Sequence, residues 1–511
     1  MYINILEYLE KTVKSVPDKI AVIDGESDIT FQDLTIKANL LAIHILKSRS
    51  INKPIAVFLP KSIESIIADI AITYSGNAYM NLDIKTPSAR IQNILDLINP
   101  EAVITNKKHA SFIHDINPSL PLILIDEFAF THSINGDLIN NRLKSIIDTD
   151  PLCIINTSGS TGTPKGVVLN HKSFIDFTEW AINTLEITEN EIIGSLSPLV
   201  FDIYSFELCM LMAKGSRIVL LPDSLSPFPA KILGLMHENN VNFIFWVPTI
   251  MVNIANMDLL SKISLPDLKT VWFAGEVFPT KQFNYWKTKL TEAKFVNLYG
   301  PIEITLDCTY FIVERELLDD EPIPIGFPCR NTNVLILNDE NEIADLLDEG
   351  ELCIRGTSLA MGYYNNLEKT ALAFVQNPLN KSYPELIYRT GDIVSINEYG
   401  EIIFKGRKDT LIKHMGYRIE LGEIEHLITN KLNIVENGCV IYNALRKEIT
   451  LFYQSKDEIT IVEMKRIIGI ELPKYMVPVV YIKMIELPQN ANGKIDRLAL
   501  SQKLDTQIAI I

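Results

Sequence analysis

The sequence predicts an α/β protein. It has a large N-terminal part of layered α/β subdomains plus a β-rich subdomain, followed by a small C-terminal α+β domain. Three observations carry that reading. Short β-branched runs alternate with helical patterns over most of the 511 residues, as expected for helices layered on sheets. The segment Gly350-Glu351-Leu352-Cys353-Ile354-Arg355-Gly356 alternates more strictly and marks the β-rich region. Beyond the polar, glycine-containing stretch Gly406-Arg407-Lys408-Asp409 the pattern becomes a compact mixture of helix and strand.

Each element follows from its residues. Ile55-Ala56-Val57-Phe58-Leu59 reads as a strand and Ser62 to Tyr74 as the helix after it. Phe243-Ile244-Phe245-Trp246 and Thr249 to Asn256 repeat the pair further on. Leu152-Cys153-Ile154-Ile155 and Val167-Val168-Leu169 read as two strands around a tight polar loop. A chain of 511 residues is too long for one core, so at least two domains are expected. The stretch from 406 to 409 suits a hinge, which divides the chain into 1–408 and 409–511.

Composition narrows the function classes. Hydrophobic residues at 47% and charged residues at 22% are those of a soluble globular protein. The six cysteines lie scattered, without the close pairs of a zinc or disulfide framework, and read as reduced thiols of a cytoplasmic chain. The N-terminus has no basic segment before its first glutamate, Glu7, so no signal peptide is expected. No run is long and charge-free enough to span a bilayer. The net charge of −16 argues against nucleic-acid binding.

The loop between the two strands carries the chemistry. Thr157-Ser158-Gly159-Ser160-Thr161-Gly162-Thr163-Pro164-Lys165-Gly166 packs hydroxyls and glycines around one lysine. Glycines let a backbone approach a ligand closely, and hydroxyls with free amides wrap an anion. A phosphate is the expected guest. A Walker A loop needs Gly-Lys-Ser/Thr opening a helix. Here Pro164 precedes Lys165 and Gly166 follows it, so this is a different loop.

That run resembles the phosphate-binding loop of the adenylate-forming superfamily, which includes peptide-synthetase adenylation domains, acyl-CoA ligases and luciferases. Other segments resemble the family in the same order. They include Pro17-Asp18-Lys19-Ile20-Ala21-Val22, Asn77 to Asp83, Phe201-Asp202, Asn297-Leu298-Tyr299-Gly300-Pro301-Ile302-Glu303, Tyr388-Arg389-Thr390-Gly391-Asp392 and Asn492-Gly493-Lys494-Ile495-Asp496-Arg497. The resemblance implies a two-step reaction. A carboxylate attacks the α-phosphorus of ATP with Mg²⁺, releasing pyrophosphate, and a thiol then displaces AMP.

The resemblance also implies roles. Lys494 reaches the carboxylate and α-phosphate together, as a point cation matched to developing negative charge. Thr157, Ser158, Gly159, Ser160, Thr161, Gly162 and Lys165 hold phosphate. Gly275, Glu276, Asn297, Tyr299 and Gly300 line the nucleotide site, with Tyr299 facing adenine and the Asn297 amide meeting its edge. Asp392 accepts from the ribose hydroxyls, Arg407 supports the ribose or phosphate side, and Glu303 holds Mg²⁺, which prefers oxygen ligands. Asp409 is the hinge of a mobile C-terminal lid. Two positions depart from the pattern. Ile302 stands where a threonine is common and Asn156 where a tyrosine is, which predicts slower or weaker ATP use.

Asp202 points to an amino acid as the acid, because the substrate ammonium completes a charge pair with it. Its structural alternative is a helix N-cap. The pocket positions carried over are Asp202, Ile203, Phe206, Phe245, Trp272, Ala274, Leu298, Leu306, Asp307 and Lys494. Their mostly large, apolar character predicts a compact neutral side chain, with proline ranked before D-alanine. Asp307 favours a basic substrate such as arginine or lysine if it faces inward, and is neutral to the choice if it faces outward. No phosphopantetheine signature follows Arg497, so a separate carrier protein is the expected thiol acceptor. An acyl- or aryl-acid:CoA ligase and a non-catalytic nucleotide-binding partner are the competing readings.

Overall fold

The computed structural model describes residues 2–47, 50–130, 136–158, 164–408, 411–455, 459–488 and 495–508. The chain divides into two compact units. The first comprises Met1–Ile84, Ile98–Ile155 and Gly166–Lys408; the second comprises Lys85–Leu97, Asn156–Lys165 and Asp409–Ile511. The division after Lys408 falls inside the stretch read as a hinge. Gly406 and Arg407, however, are not linker: they pair with Ile393 and Asp392 at the end of strand Ile402–Arg407.

The first unit is built on three sheets. One has seven strands, in the order Gly362–Tyr363, Lys165–Asn170, Pro151–Thr157, Ala78–Asn81, Pro54–Val57, Val103–Thr105, Leu122–Leu124. Its pairings from Ala78–Asn81 outward are parallel, as expected for β-branched runs separated by crossover helices. A second sheet has nine strands and runs parallel through Thr270–Ala274, Phe243–Trp246, Ile192–Ser195 and Arg217–Leu220. The third is the antiparallel β-rich sheet, in which Gly350–Gly356 pairs with Thr332–Leu337 and Leu386–Ile396. The antiparallel strand is where the sequence places one, but Gly350 to Ile354 are buried without a break.

Local sequence fixes the element ends. Ser62 and Ser65 form a reciprocal capping box at the start of helix Ile63–Tyr74, which satisfies two of its free amides. Gly215 ends helix Asp202–Lys214 in the left-handed region at φ 67°, where glycine avoids the Cβ penalty. One continuous apolar core joins Phe174, Phe206, Phe245, Trp272, Leu298 and Leu352. All six cysteines are buried and unbridged.

The second unit has its own core. Strands Asn437–Asn443, Glu448–Gln454 and Val480–Lys483 form a sheet, and helices Leu421–His426 and Ile461–Glu471 pack on it through Ile424, Met464 and Ile468. Leu411–His414 and Tyr417–Glu420 make a separate two-stranded ribbon. Among the described residues no helix is long and apolar enough to cross a membrane.

Candidate active site

Three of the residues expected at the nucleotide, Tyr299, Asp392 and Arg407, meet in the first unit. Asp392 and Arg407 lie directly opposite on antiparallel strands, a spacing that brings side chains together. Arg407 Nη1 pairs with Asp392 Oδ1, and the Tyr299 hydroxyl donates to Asp392 Oδ2. All three are largely buried, and Asp392 is 5% exposed. Burial first, and then the Asp392 charge, push the Tyr299 phenol well above its ordinary range. The phenol therefore stays a neutral donor. The Tyr299 ring lies 6.4 Å from that of Phe404. Asn297 donates one of its two amide N–H groups to the Pro324 carbonyl at 2.7 Å, which leaves the other N–H and the carbonyl oxygen.

The turn after Tyr299 is sterically tight. A Cβ on Gly300 would stand 2.2 Å from the Leu306 carbonyl oxygen and 2.5 Å from Asp307 Cα. Only glycine fits there. The chain reaches that contact through a short 3-10 turn, Ile302–Ile304, and two left-handed residues, Thr305 at φ 53° and Leu306 at φ 64°. Such strain in non-glycine residues clusters at functional sites.

Glu303 sits in this turn and is fully buried. The Tyr363 hydroxyl donates to its Oε1 at 2.8 Å. Sequence reasoning missed Tyr363, which lies in a two-residue strand antiparallel to Lys165–Asn170 and carries no motif of its own. Among the described residues no three His, Cys, Asp or Glu side chains gather around a metal position. A single oriented carboxylate still fits Mg²⁺, which takes one or two carboxylates and completes its shell with water and substrate phosphate.

Glu276 also has a protein partner. Its Oε2 accepts from the Thr249 amide at 3.0 Å and from the Thr249 hydroxyl, which caps the start of helix Pro248–Asn256. Gly275 before it is left-handed at φ 90°.

The substrate positions of the first unit form a coherent wall. Phe206 stacks on Trp272 at 5.6 Å and 20°, and Phe245 meets both edge-on at 6.0 and 5.6 Å. Ala274 and Leu298 are register partners on neighbouring parallel strands. Ile203 and Leu306 are buried. The Trp272 indole N–H has no partner, whereas those of Trp246 and Trp286 donate to Gly194 and Met251 carbonyls at 2.8 and 2.9 Å.

Asp202 opens helix Asp202–Lys214 as its first residue, and Phe201 holds the N-cap position. The simple N-cap alternative is thereby corrected. Asp202 Oδ1 accepts from the Ile203 amide at 3.0 Å, and the helix N-terminus favours its negative charge. The carboxylate also adds to the raised pKa of Cys153, which burial dominates. Asp307 is 4% exposed. It adds its charge to burial and Cys308 in pushing the Cys329 thiol up.

In the second unit, Thr157 and Ser158 are buried. Among the described residues the Thr157 hydroxyl has no partner, and neither polar atom of Asn156 has one. Ser158 Oγ donates to the Arg418 carbonyl at 2.6 Å. Lys165 heads strand Lys165–Asn170. Gly159, Ser160, Thr161, Gly162, Asp409 and Lys494 lie outside the described residues.

Residues 9–364 match the profile of the AMP-binding enzyme family. The chain belongs to that family, and it has the adenylation fold of the adenylate-forming superfamily. It is 31% identical over 502 residues to tyrocidine synthase 1 of Brevibacillus parabrevis, covering 98% of this chain and 45% of that protein. The chain thus spans under half the length of that relative. It is 29% identical over 506 residues to zwittermicin A synthase ZmaJ of Bacillus cereus, covering 97% of this chain and 94% of that one. Among solved structures, the Vibrio cholerae adenylation domain AlmE in complex with glycyl-adenosine-5'-phosphate superposes with a TM-score of 0.84 at 21% identity, covering 99% and 98%. Holo-PA1221, an NRPS protein with adenylation and PCP domains, gives 0.84 at 22%, covering 98% of this chain and 84% of that one.

Proposed function

We propose that this protein activates an amino acid with ATP and Mg²⁺, forming an aminoacyl-AMP and pyrophosphate. It then passes the aminoacyl group to the phosphopantetheine thiol of a separate carrier protein, in the cytoplasm. The observation that carries the reading is Asp202. A carboxylate at the first turn of a helix, beside an apolar wall of Phe206, Phe245 and Trp272, suits a substrate with an ammonium at one end and a compact neutral side chain at the other. Proline, or another small neutral residue, is the favoured substrate. The likeness to structures that join an adenylation domain to a PCP domain supports a carrier as acceptor.

In the first step a substrate carboxylate oxygen bonds to the α-phosphorus and the bond to pyrophosphate breaks. Tyr299, Asp392 and Arg407 hold the adenosine end, Glu303 holds Mg²⁺, and Lys494 neutralises charge between the two reacting anions. Bound Mg²⁺ supplies charge compensation on the phosphates. In the second step the thiol sulfur bonds to the carbonyl carbon, AMP leaves, and the thiol proton is released. Asp409 is the pivot between the steps.

A second reading of substrate identity has a basic side chain, such as that of lysine or arginine, beside the buried Asp307. The test of the main reading is Asp202→Ala. Amino-acid-dependent pyrophosphate exchange is expected to fall by about 10- to 100-fold, the scale of a hydrogen bond to a charged group, with ATP affinity by calorimetry nearly unchanged. Equal loss of both would make Asp202 a structural residue and remove the amino-acid assignment.

A further inference from the structure

Helix Asp202–Lys214 is buried on every side from Ile203 to Met212. A helix with a single apolar stripe has its rotation fixed by the face it buries. This helix has no exposed face to do so. Its rotation about its own axis is left to directional contacts, and satisfied buried polar contacts specify a single arrangement. Asp202, the residue expected to meet the substrate ammonium, is the first residue of the helix. Any rotation swings its carboxylate.

Two such contacts sit within one turn of Asp202. The Tyr204 hydroxyl donates to Asp69 Oδ2 at 2.7 Å, and the Asn81 amide donates to the same oxygen at 3.1 Å. The Tyr79 hydroxyl donates to Ser205 Oγ at 2.8 Å. Tyr204, Ser205, Tyr79 and Asp69 are all buried. Residues two apart on a helix leave it on nearly opposite sides, so Tyr204 anchors the turn from the side away from Asp202. Burial pushes both phenols well above their ordinary range, so each remains a donor. The anchors stand on regular elements, Asp69 on helix Ile63–Tyr74 and Tyr79 with Asn81 on strand Ala78–Asn81. Tyr79 and Asn81 both come from the segment Asn77 to Asp83, and these contacts give that segment a task. Further along the helix, Glu207 accepts from Ser195 Oγ, while Lys61 donates to the Ser195 and Ser197 carbonyls at 2.8 and 3.2 Å. The helix is thereby keyed to a strand of each large sheet.

We propose that Tyr204 and Tyr79 are positioning residues for Asp202. Through Asp69 and Ser205 they set the rotation of helix Asp202–Lys214, and so the point at which the Asp202 carboxylate meets the substrate ammonium. This rests on the amino-acid reading of Asp202 given above. It adds two hydroxyls that act through the helix, where a displacement on the order of 1 Å can cost about 100-fold.

The test is ATP–pyrophosphate exchange by the full chain, with L-proline or whichever amino acid the wild type exchanges fastest. Tyr204→Phe is expected to raise the KM for the amino acid about tenfold and to leave the KM for ATP unchanged. Tyr79→Phe acts on the same turn and is expected to do the same, which keeps the test open if one variant does not fold. Trp286→Phe removes an equally buried donor, to the Met251 carbonyl, in a separate core cluster. It is expected to lower the melting temperature and move neither KM. In an Asp202→Ala background Tyr204→Phe is expected to add little, since changes that act through one group are not additive. The proposal is overturned if the folded tyrosine variants leave the amino-acid KM unchanged or raise both KM values together. It is also overturned if Trp286→Phe raises the amino-acid KM as well, or if the full effect persists without Asp202. If Asp202→Ala alone leaves the amino-acid KM unchanged, the amino-acid reading of Asp202 itself fails, and the proposal with it.

Discussion

The Tyr363 hydroxyl donates to Oε1 of the fully buried Glu303 across 2.8 Å. One residue comes from a short edge strand and the other from the turn after Tyr299-Gly300, so the bond ties the seven-stranded sheet to the strained loop. It fixes one oxygen of the carboxylate proposed to meet Mg²⁺. Orientation of a metal ligand by its outer partner is commonly worth 10-fold or more in affinity or activity.

Tyr363→Phe removes that donor and keeps the ring. The Mg²⁺ concentration for half-maximal exchange activity is expected to rise about tenfold, with smaller loss of activity at saturating Mg²⁺. An unchanged Mg²⁺ requirement would show that the hydroxyl does not position Glu303 for metal.

Tyr299→Phe isolates a different bond. The Tyr299 hydroxyl and Arg407 both engage Asp392. A hydrogen bond to a charged group contributes about 1.5–3 kcal/mol. The KM for ATP is expected to rise about tenfold, the lower end of that range. The KM for the amino acid should move little, since Phe206, Phe245 and Trp272 lie on other elements.

Gly300→Ala tests the tight turn. With the Leu306 oxygen 2.2 Å from the new Cβ, the backbone must shift, and overpacking of this kind costs about 1–3 kcal/mol. A lower melting temperature and loss of exchange activity are expected together. A variant with wild-type stability and activity would mean that the turn relaxes freely.

Stability should also depend on pH through Asp69. This carboxyl is fully buried and accepts from Asn81 and the Tyr204 hydroxyl at 3.1 and 2.7 Å. Burial pushes its pKa up to about 7 from 3.8. Between those values the folded chain holds a proton that the unfolded chain has released, so stability falls as pH rises. The stabilising contribution is full below the lower value and gone above the upper one. The slope is about 1.4 kcal/mol per pH unit for such a group. Glu207 is raised in the same direction by burial, to about 7, and adds to it. Asp69→Asn cannot titrate, so its melting temperature relative to wild type should rise between about pH 4 and pH 7. A parallel pair of melting curves across that range would contradict this.

Much of the architecture was legible because it rests on local rules. The period-2 pattern of Gly350–Gly356 and the apolar runs around Thr157 gave strands where strands stand. Ser62 before an apolar run gave a helix start. The hinge was placed two residues wide of the strand end, because Gly406 looks like a breaker in sequence but pairs with Ile393 in the sheet. Tyr363 and Thr249 were not legible. Each acts on a carboxylate far away in the sequence, through contacts that no local pattern encodes. The partner of Ser158 was hidden for the same reason, since Arg418 lies 260 residues on. Burial of Asp307 was undecidable from sequence because it depends on how Leu306 and Asp307 fold back on Gly300.

The most direct test of the central claim is ATP–pyrophosphate exchange measured with a panel of amino acids alongside fatty and aryl acids. The account predicts exchange with amino acids alone, highest for proline or another small neutral residue, and lost in Asp202→Ala. Exchange with a fatty or aryl acid in preference to every amino acid, or with no acid at all, would contradict it.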